Sequence, residues 1–136
     1  MPHTKFRCEI LTPEGEVFND EVEMVSTQTT LGSIGILANH SPVLGMLEPT
    51  ELRVYRSDDE ILRFAQSEGY MLVGGNHAML LVQDIHTPEQ LDIAQLRERL
   101  AEAERELEVA GEDTERRRVA LRHQKRWQAF LKVAEG

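Results

Sequence analysis

The chain has 136 residues, 40% of them apolar, with 24 acidic against 15 basic side chains and a formal net charge of −9. That is apolar material for one modest core, in a single domain or in a small domain with an appendage. The acidic balance argues against nucleic acid and against adhesion to an anionic membrane, no apolar run of about 18 residues offers a transmembrane helix, and Cys8, the only cysteine, excludes an internal disulfide.

The start, Met1-Pro2-His3-Thr4-Lys5, lacks the apolar stretch of a signal peptide, so a cytoplasmic location is the expectation. Residues 1–86 hold every glycine except Gly111 and Gly136 and every proline except Pro88. Their hydrophobic period is two. Phe6, Cys8 and Ile10 alternate with Lys5, Arg7 and Glu9, which predicts a half-buried strand with Cys8 as a small core residue. Val22 and Met24 alternate with Glu21 and Glu23. Next comes Leu31-Gly-Ser-Ile-Gly-Ile-Leu-Ala-Asn-His-Ser-Pro-Val43. Gly32 and Gly35 break up its apolar residues, and Asn39 to Pro42 read as a turn. A rigid, shaped loop on a β scaffold is expected here, the kind of place where contact functions concentrate.

Leu52 and Val54 alternate with Glu51, Arg53 and Tyr55. Ser57-Asp58-Asp59-Glu60 then reads as a hairpin turn before Ile61–Ala65. Gly74-Gly75-Asn76 is a second turn, between Tyr70–Val73 and Ala78–Gln83. Short, closely spaced strands of this kind predict an antiparallel β-sandwich of about 8–10 strands over residues 1–86.

The pattern changes at Thr87-Pro88-Glu89-Gln90. Thr87 is placed to cap a helix, Pro88 suits its first position, and Gln90 completes a capping box. Ile93, Leu96, Leu100, Ala103 and Leu107 form one narrow stripe. Gly111 ends that helix, and Asp113 or Thr114 caps a second. The stripe of the second helix is Val119 or Ala120, His123, Trp127, Phe130 or Leu131, and Ala134. Residues 87–136 are therefore expected to form an antiparallel two-helix hairpin domain, hinged at 84–88. Glu89–Val109 carries seven acids against three arginines, and Thr114–Glu135 carries seven basic residues against two glutamates. The two helices should attract each other, though each exposed pair is worth only about 0–1 kcal/mol. A hairpin held by so narrow a stripe is expected to leave its body at a cost of a few kcal/mol.

Candidate chemistry is sparse. His40 beside Ser41 lacks a Gly-x-Ser-x-Gly elbow, and the simpler reading is that His40 hydrogen-bonds its own turn or makes a protein contact. His77, His86 and His123 do not have metal-ligand spacing. The chain has no Walker-type loop and no Gly-x-Gly-x-x-Gly. No catalytic residue, metal ligand or cofactor is expected.

Gly32, Gly35, Ile36, Leu37, His40 and Pro42 match the Gly-x-x-Gly-Ile-Leu-x-x-His-x-Pro signature of the epsilon subunits of bacterial F-type ATP synthases, with Ala38 where that family often has proline. Glu14-Gly15, Gly69–Val73 and the charged two-helix tail fall in the same order, so the chain resembles that family over nearly its whole length. The resemblance implies a non-catalytic rotor subunit that couples proton-driven rotation to ATP synthesis, peripheral on the cytoplasmic face of the bacterial plasma membrane and not inserted in it. It implies three partners: the gamma-subunit shaft, the membrane c-ring and the alpha/beta catalytic head. It assigns ring and shaft contact to Gly32, Ile34, Gly35, Leu37, His40 and Pro42. It assigns head contact to Arg118, Arg122 and Arg126, through helices that restrain ATP hydrolysis when extended.

Two further readings of the tail stay open. The basic face Arg116, Arg117, Arg118, Arg122, Lys125 and Arg126 is either a solvated face paired to the first helix or a docking face. Trp127 and Phe130 either anchor a partner or pack inside the hairpin. Some members of the family bind ATP through Ile/Leu-Asp-x-x-Arg-Ala and arginines on the last helix. Here Asp92 is kept, Gln95 and Leu96 replace the arginine and alanine, Arg126 aligns with one arginine, and Phe130 stands at the other. Weak or absent ATP binding is expected. The competing function is a free β-sandwich binding module that dimerises through its helices; an enzyme using His40 and Ser41 is a third.

Overall fold

The computed structural model describes residues 3–136. Ten strands precede two helices: β1 (Phe6–Thr12), β2 (Gly15–Val22), β3 (Met24–Thr29), β4 (Gly32–Leu37), β5 (Val43–Leu47), β6 (Thr50–Tyr55), β7 (Ile61–Gln66), β8 (Gly69–Gly74), β9 (His77–Val82), β10 (Ile85–His86), α1 (Ile93–Ala110) and α2 (Thr114–Glu135). The ladder runs β10-β7-β6-β3-β5-β8-β9-β1-β2, with β4 on β3. Only the Thr29↔Leu47 bridge joins β3 to β5. The sheet therefore bends there into two layers, β10-β7-β6-β3-β4 and β5-β8-β9-β1-β2, which close on one core.

Period two fills that core. Cys8, Ile10, Val25, Ile36, Leu52, Met71 and Leu80 are all fully buried. Burial pushes the Cys8 thiol up to about 12, with the charge of Glu9 adding to it, so the thiol is unreactive. The expected antiparallel pairing holds except at one ladder: β1 runs parallel to β9, Arg7↔His77 to Leu11↔Leu81. These strands are about 70 residues apart, so no hairpin constrains their direction.

The expected turns form. Arg56 and Ser57 amides donate to the Glu60 carbonyl, closing β6 onto β7. Gly75 and Asn76, both at positive φ, make the two-residue turn between β8 and β9.

The tail starts later than its sequence suggests. Thr87 leads into a single 3-10 turn, Pro88–Gln90, and the Gln90 side chain accepts from the Thr87 amide at 3.0 Å. The α-helix begins only after Asp92, whose Oδ1 accepts from the Gln95 amide at 3.2 Å. Asp113 caps α2 in the same way.

Leu96, Phe130, Leu131 and Val133 form a second apolar cluster with Ala65 of β7. Phe64 faces the main core and Ala65 the hairpin, so β7 is apolar on both sides. Val133 lies outside the expected stripe because α2 packs on the body as well as on α1. Charge pairing between the helices is thinner than their composition suggests. Among the described residues it consists of Arg97–Glu135 at 4.0 Å; in addition, His123 Nδ1 lies 3.5 Å from Glu106 Oε2.

Candidate docking surfaces

The 31–43 segment is not a loop. It consists of edge strand β4 and the two turns flanking it. At the first turn Thr29 Oγ1 accepts from the Leu31 amide (3.1 Å) and donates to the Gly32 carbonyl (3.0 Å). This leaves Leu31 98% exposed at the tip. Gly32 has φ of 126°, a conformation for which glycine is needed. Gly35 does not; it is an ordinary strand residue opposite Ser26, with Met24 Cε 3.8 Å from where a side chain would begin.

The residues of the 32–42 motif therefore divide. Ile36 is buried in the core, Ile34 packs partly against it, and Leu37 points out. At the second turn Asn39 is left-handed (φ 63°) and its amide donates to Asn76 Oδ1 at 2.6 Å. His40 Nδ1–H donates to the Ser41 carbonyl at 2.6 Å, and the His40 amide donates to the Leu37 carbonyl at 3.2 Å. The ring thus shapes its own turn and engages the carbonyl of Ser41, not its hydroxyl. Pro42 lies against Gly74. These contacts tie the β4–β5 turn to the β8–β9 hairpin at one end of the sandwich.

A second surface is missing from the sequence reading. β5 and β8 are apolar on both faces. Their inner residues, Leu47, Met71 and Val73, fill the core. Their outer residues stay uncovered: Leu44 is 69%, Met46 55%, Tyr70 53% and Leu72 46% exposed. The register places Leu44 opposite Leu72, and Met46 opposite Tyr70, which in turn faces Leu81 of β9. A contiguous apolar strip results, and it opens at one end into a groove of about 440 Å³ lined by Leu11, Met46, Tyr70 and Leu81. The sequence carried a signal for it: Val43-Leu44-Gly45-Met46-Leu47 and Tyr70-Met71-Leu72-Val73 do not alternate, so something must cover each face.

The helical candidates fare differently from one another. Arg118 pairs with Glu115 at 2.7 Å on its own helix. Arg122 is exposed and, among the described residues, makes no side-chain hydrogen bond or ion pair. Arg126 is only 15% exposed; it pairs with Glu68 of the body and stacks on Trp127 at 5.6 Å. Burial lowers its pKa from the usual value for an arginine. Trp127 meets Phe130 edge-on at 5.8 Å, so both pack within the folded tail. Asp92 is engaged as the cap of α1. Asp92 and Arg126, the two polar residues that the degraded nucleotide motif keeps, thus each already have a structural partner.

The histidines are dispersed. His77 lies 2.9 Å from Glu9, His86 2.9 Å from Asp84, and His123 faces Glu106. No group of three or more His, Cys, Asp or Glu that could hold a metal lies among the described residues. No helix there is long and apolar enough to cross a membrane.

Residues 5–88 match the family model described as ATP synthase, Delta/Epsilon chain, beta-sandwich domain. The chain is 30% identical over 131 residues to the ATP synthase epsilon chain of Sulfurihydrogenibium sp. (strain YO3AOP1), covering 96% of this chain and 98% of that one. It is 34% identical over 103 residues to that of Persephonella marina, with 76% of each chain covered. In fold it is similar to a chain in the mitochondrial ATP synthase OSCP/F1/c-ring structure of Euglena gracilis (TM-score 0.76, 18% identity, 96% of this chain and 79% of that chain). It is also similar to one in the central stalk/c-ring structure of Tetrahymena thermophila (TM-score 0.55, 20% identity, 66% and 72%).

Proposed function

The chain belongs to the ATP synthase delta/epsilon family, and from that premise we propose how its surfaces divide the work of a central-stalk subunit. It is a regulatory and structural component of the synthase, not a catalytic one. It couples proton-driven rotation to ATP synthesis. The apolar strip Leu44–Met46–Tyr70–Leu72 is the seat for the gamma shaft. Aromatic and aliphatic groups held on rigid strands suit a permanent contact, and leaving them in water carries a standing cost of about 25 cal/mol per Å². The exposed tip at Leu31 faces the c-ring, which puts the subunit on the cytoplasmic face of the bacterial plasma membrane without inserting into it.

The helical tail restrains hydrolysis when it leaves the body and reaches the alpha/beta head. Arg118 and Arg122 are the cations it already presents. Arg126 becomes available only after release. ATP binding is weak or absent, because Gln95 stands where a phosphate-binding arginine is needed and Glu68 occupies Arg126. Calorimetry with the full chain should give no binding tighter than about 100 μM; a tighter site would refute this point.

The uncovered apolar strip carries the proposal. Tyr70→Asp should weaken binding of the full chain to the isolated gamma subunit by about thirtyfold or more, the effect of losing one anchoring residue and burying a charge. Unchanged affinity would place the shaft on another face.

A further inference from the structure

Lys125 and Arg126 are consecutive on α2, and both turn away from α1 toward the body. Lys125 Nζ is 3.1 Å from Glu48 Oε2, and the Arg126 guanidinium pairs with Glu68. Glu48 is the residue after β5 and Glu68 the residue before β8, just past the last register pair of that ladder, Leu47↔Gly69. Two acids thus stand at one end of two paired strands, and two adjacent cations of the tail meet them.

The acids are firmly set. The Glu48 carbonyl accepts from Gln66 Nε2 at 2.9 Å, and Gln66 Oε1 accepts from Thr27 Oγ1 at 2.7 Å, both side chains being buried. The Glu68 carbonyl accepts from the Gln83 amide at 3.2 Å. The Arg126–Glu68 pair itself is incompletely satisfied: Arg126 Nε and Glu68 Oε2 are buried with no partner. An ion pair with unpartnered buried atoms nearly breaks even against water, where all its groups are hydrated. That is the energetics of a reversible contact. The apolar cluster around Phe130 and Ala65 adds attraction that has no comparable dependence on charge.

We propose that Lys125–Glu48 and Arg126–Glu68 form a two-point electrostatic catch that sets how readily the helical tail leaves the body. The catch is a property of the isolated chain and rests on no partner. It also makes the two poses exclusive for these side chains: while the tail is folded back, the charges of Lys125 and Arg126 are taken, and release frees both at once.

Ala65 lies fully buried under α2, and Cys8 lies fully buried in the body core. An Ala65→Cys change in the full chain therefore places a thiol that reacts when the tail lifts, while Cys8 reports unfolding of the body in the same molecule. In this background E68Q should raise the labelling rate at position 65 about tenfold with Cys8 still protected, because it leaves a half-buried guanidinium unpaired. The charge swap Glu68→Arg with Arg126→Glu should bring the rate back down. Raising salt from about 0.05 to 0.5 M should speed labelling of the chain carrying no change but Ala65→Cys, since part of the catch is exposed to solvent. An unchanged rate in E68Q, a swap that fails to restore protection, or labelling at position 65 that only ever rises in step with Cys8 would overturn the catch.

Discussion

Gly69 shows what a single residue decides here. A side chain at that position would begin 2.0 Å from the Leu81 carbonyl oxygen and 2.8 Å from the Val82 Cα. These are backbone atoms of the paired strand, so neither can move aside without disturbing the ladder. Gly69→Ala should destabilise the body by more than about 2 kcal/mol in denaturant unfolding, the overpacking range; a cost below about 0.5 kcal/mol would contradict the geometry. Glu51 makes a second local case. Burial pushes its carboxyl up, but hydrogen bonds from Arg63 and Arg53, together with their charges, outweigh this and leave it below its ordinary value of 4.5. A carboxylate lowered in the folded state contributes stability that is present above its unfolded value and lost as pH falls through the folded one. The contribution of Glu51 should therefore persist at pH 5 and fade only below about pH 4.5. Arg63→Met should move the Glu51 carboxyl titration, followed by NMR, to higher pH. An unmoved titration would show that Arg63 is not the cause.

Among the elements, the helical tail is the one whose sequence is most informative and whose packing is least so. The cap of α2 at Asp113, the end of α1 at Gly111 and the main stripe follow from periodicity and from residues that satisfy free amides, whereas the start of α1 at Asp92 does not. The side of α2 that meets the body does not follow, because Phe130, Leu131 and Val133 span two faces of that helix. Phe130 is 1% exposed and touches α1-side and body-side neighbours, including His86 edge-on at 6.0 Å. Phe130→Ala should cost the docked tail about 3–5 kcal/mol. The helical circular dichroism should then melt earlier than the β signal. Coincident melting at the original temperature would show that the tail does not depend on this anchor.

For the whole molecule, two apolar clusters matter more than one continuous core. No α-helical residue contributes to the cluster inside the sandwich. Removing residues 88–136 should therefore leave a folded body that still enters the synthase. The complex carrying it should hydrolyse ATP faster than one carrying the full chain. Equal hydrolysis rates in the two complexes would remove the restraining role and leave the coupling role standing. The same separation allows the tail to leave without opening the sandwich.

Periodicity and turn chemistry were enough, read from the chain alone, to predict an antiparallel sandwich of about 8–10 short strands, two helices and the motif at 32–42, because each depends on neighbours within a few residues. The assignment of 31–43 as a loop went wrong where a local reading must: glycines and an extended apolar run look alike in a loop and in an edge strand, and only pairing with β3 tells them apart. The direction of β1 along β9, the uncovered strip on β5 and β8, and the capture of Arg126 by Glu68, 58 residues away, belong to tertiary structure. In each case the deciding partner is remote in sequence, and burial or charge compensation exists only once the fold has brought it near.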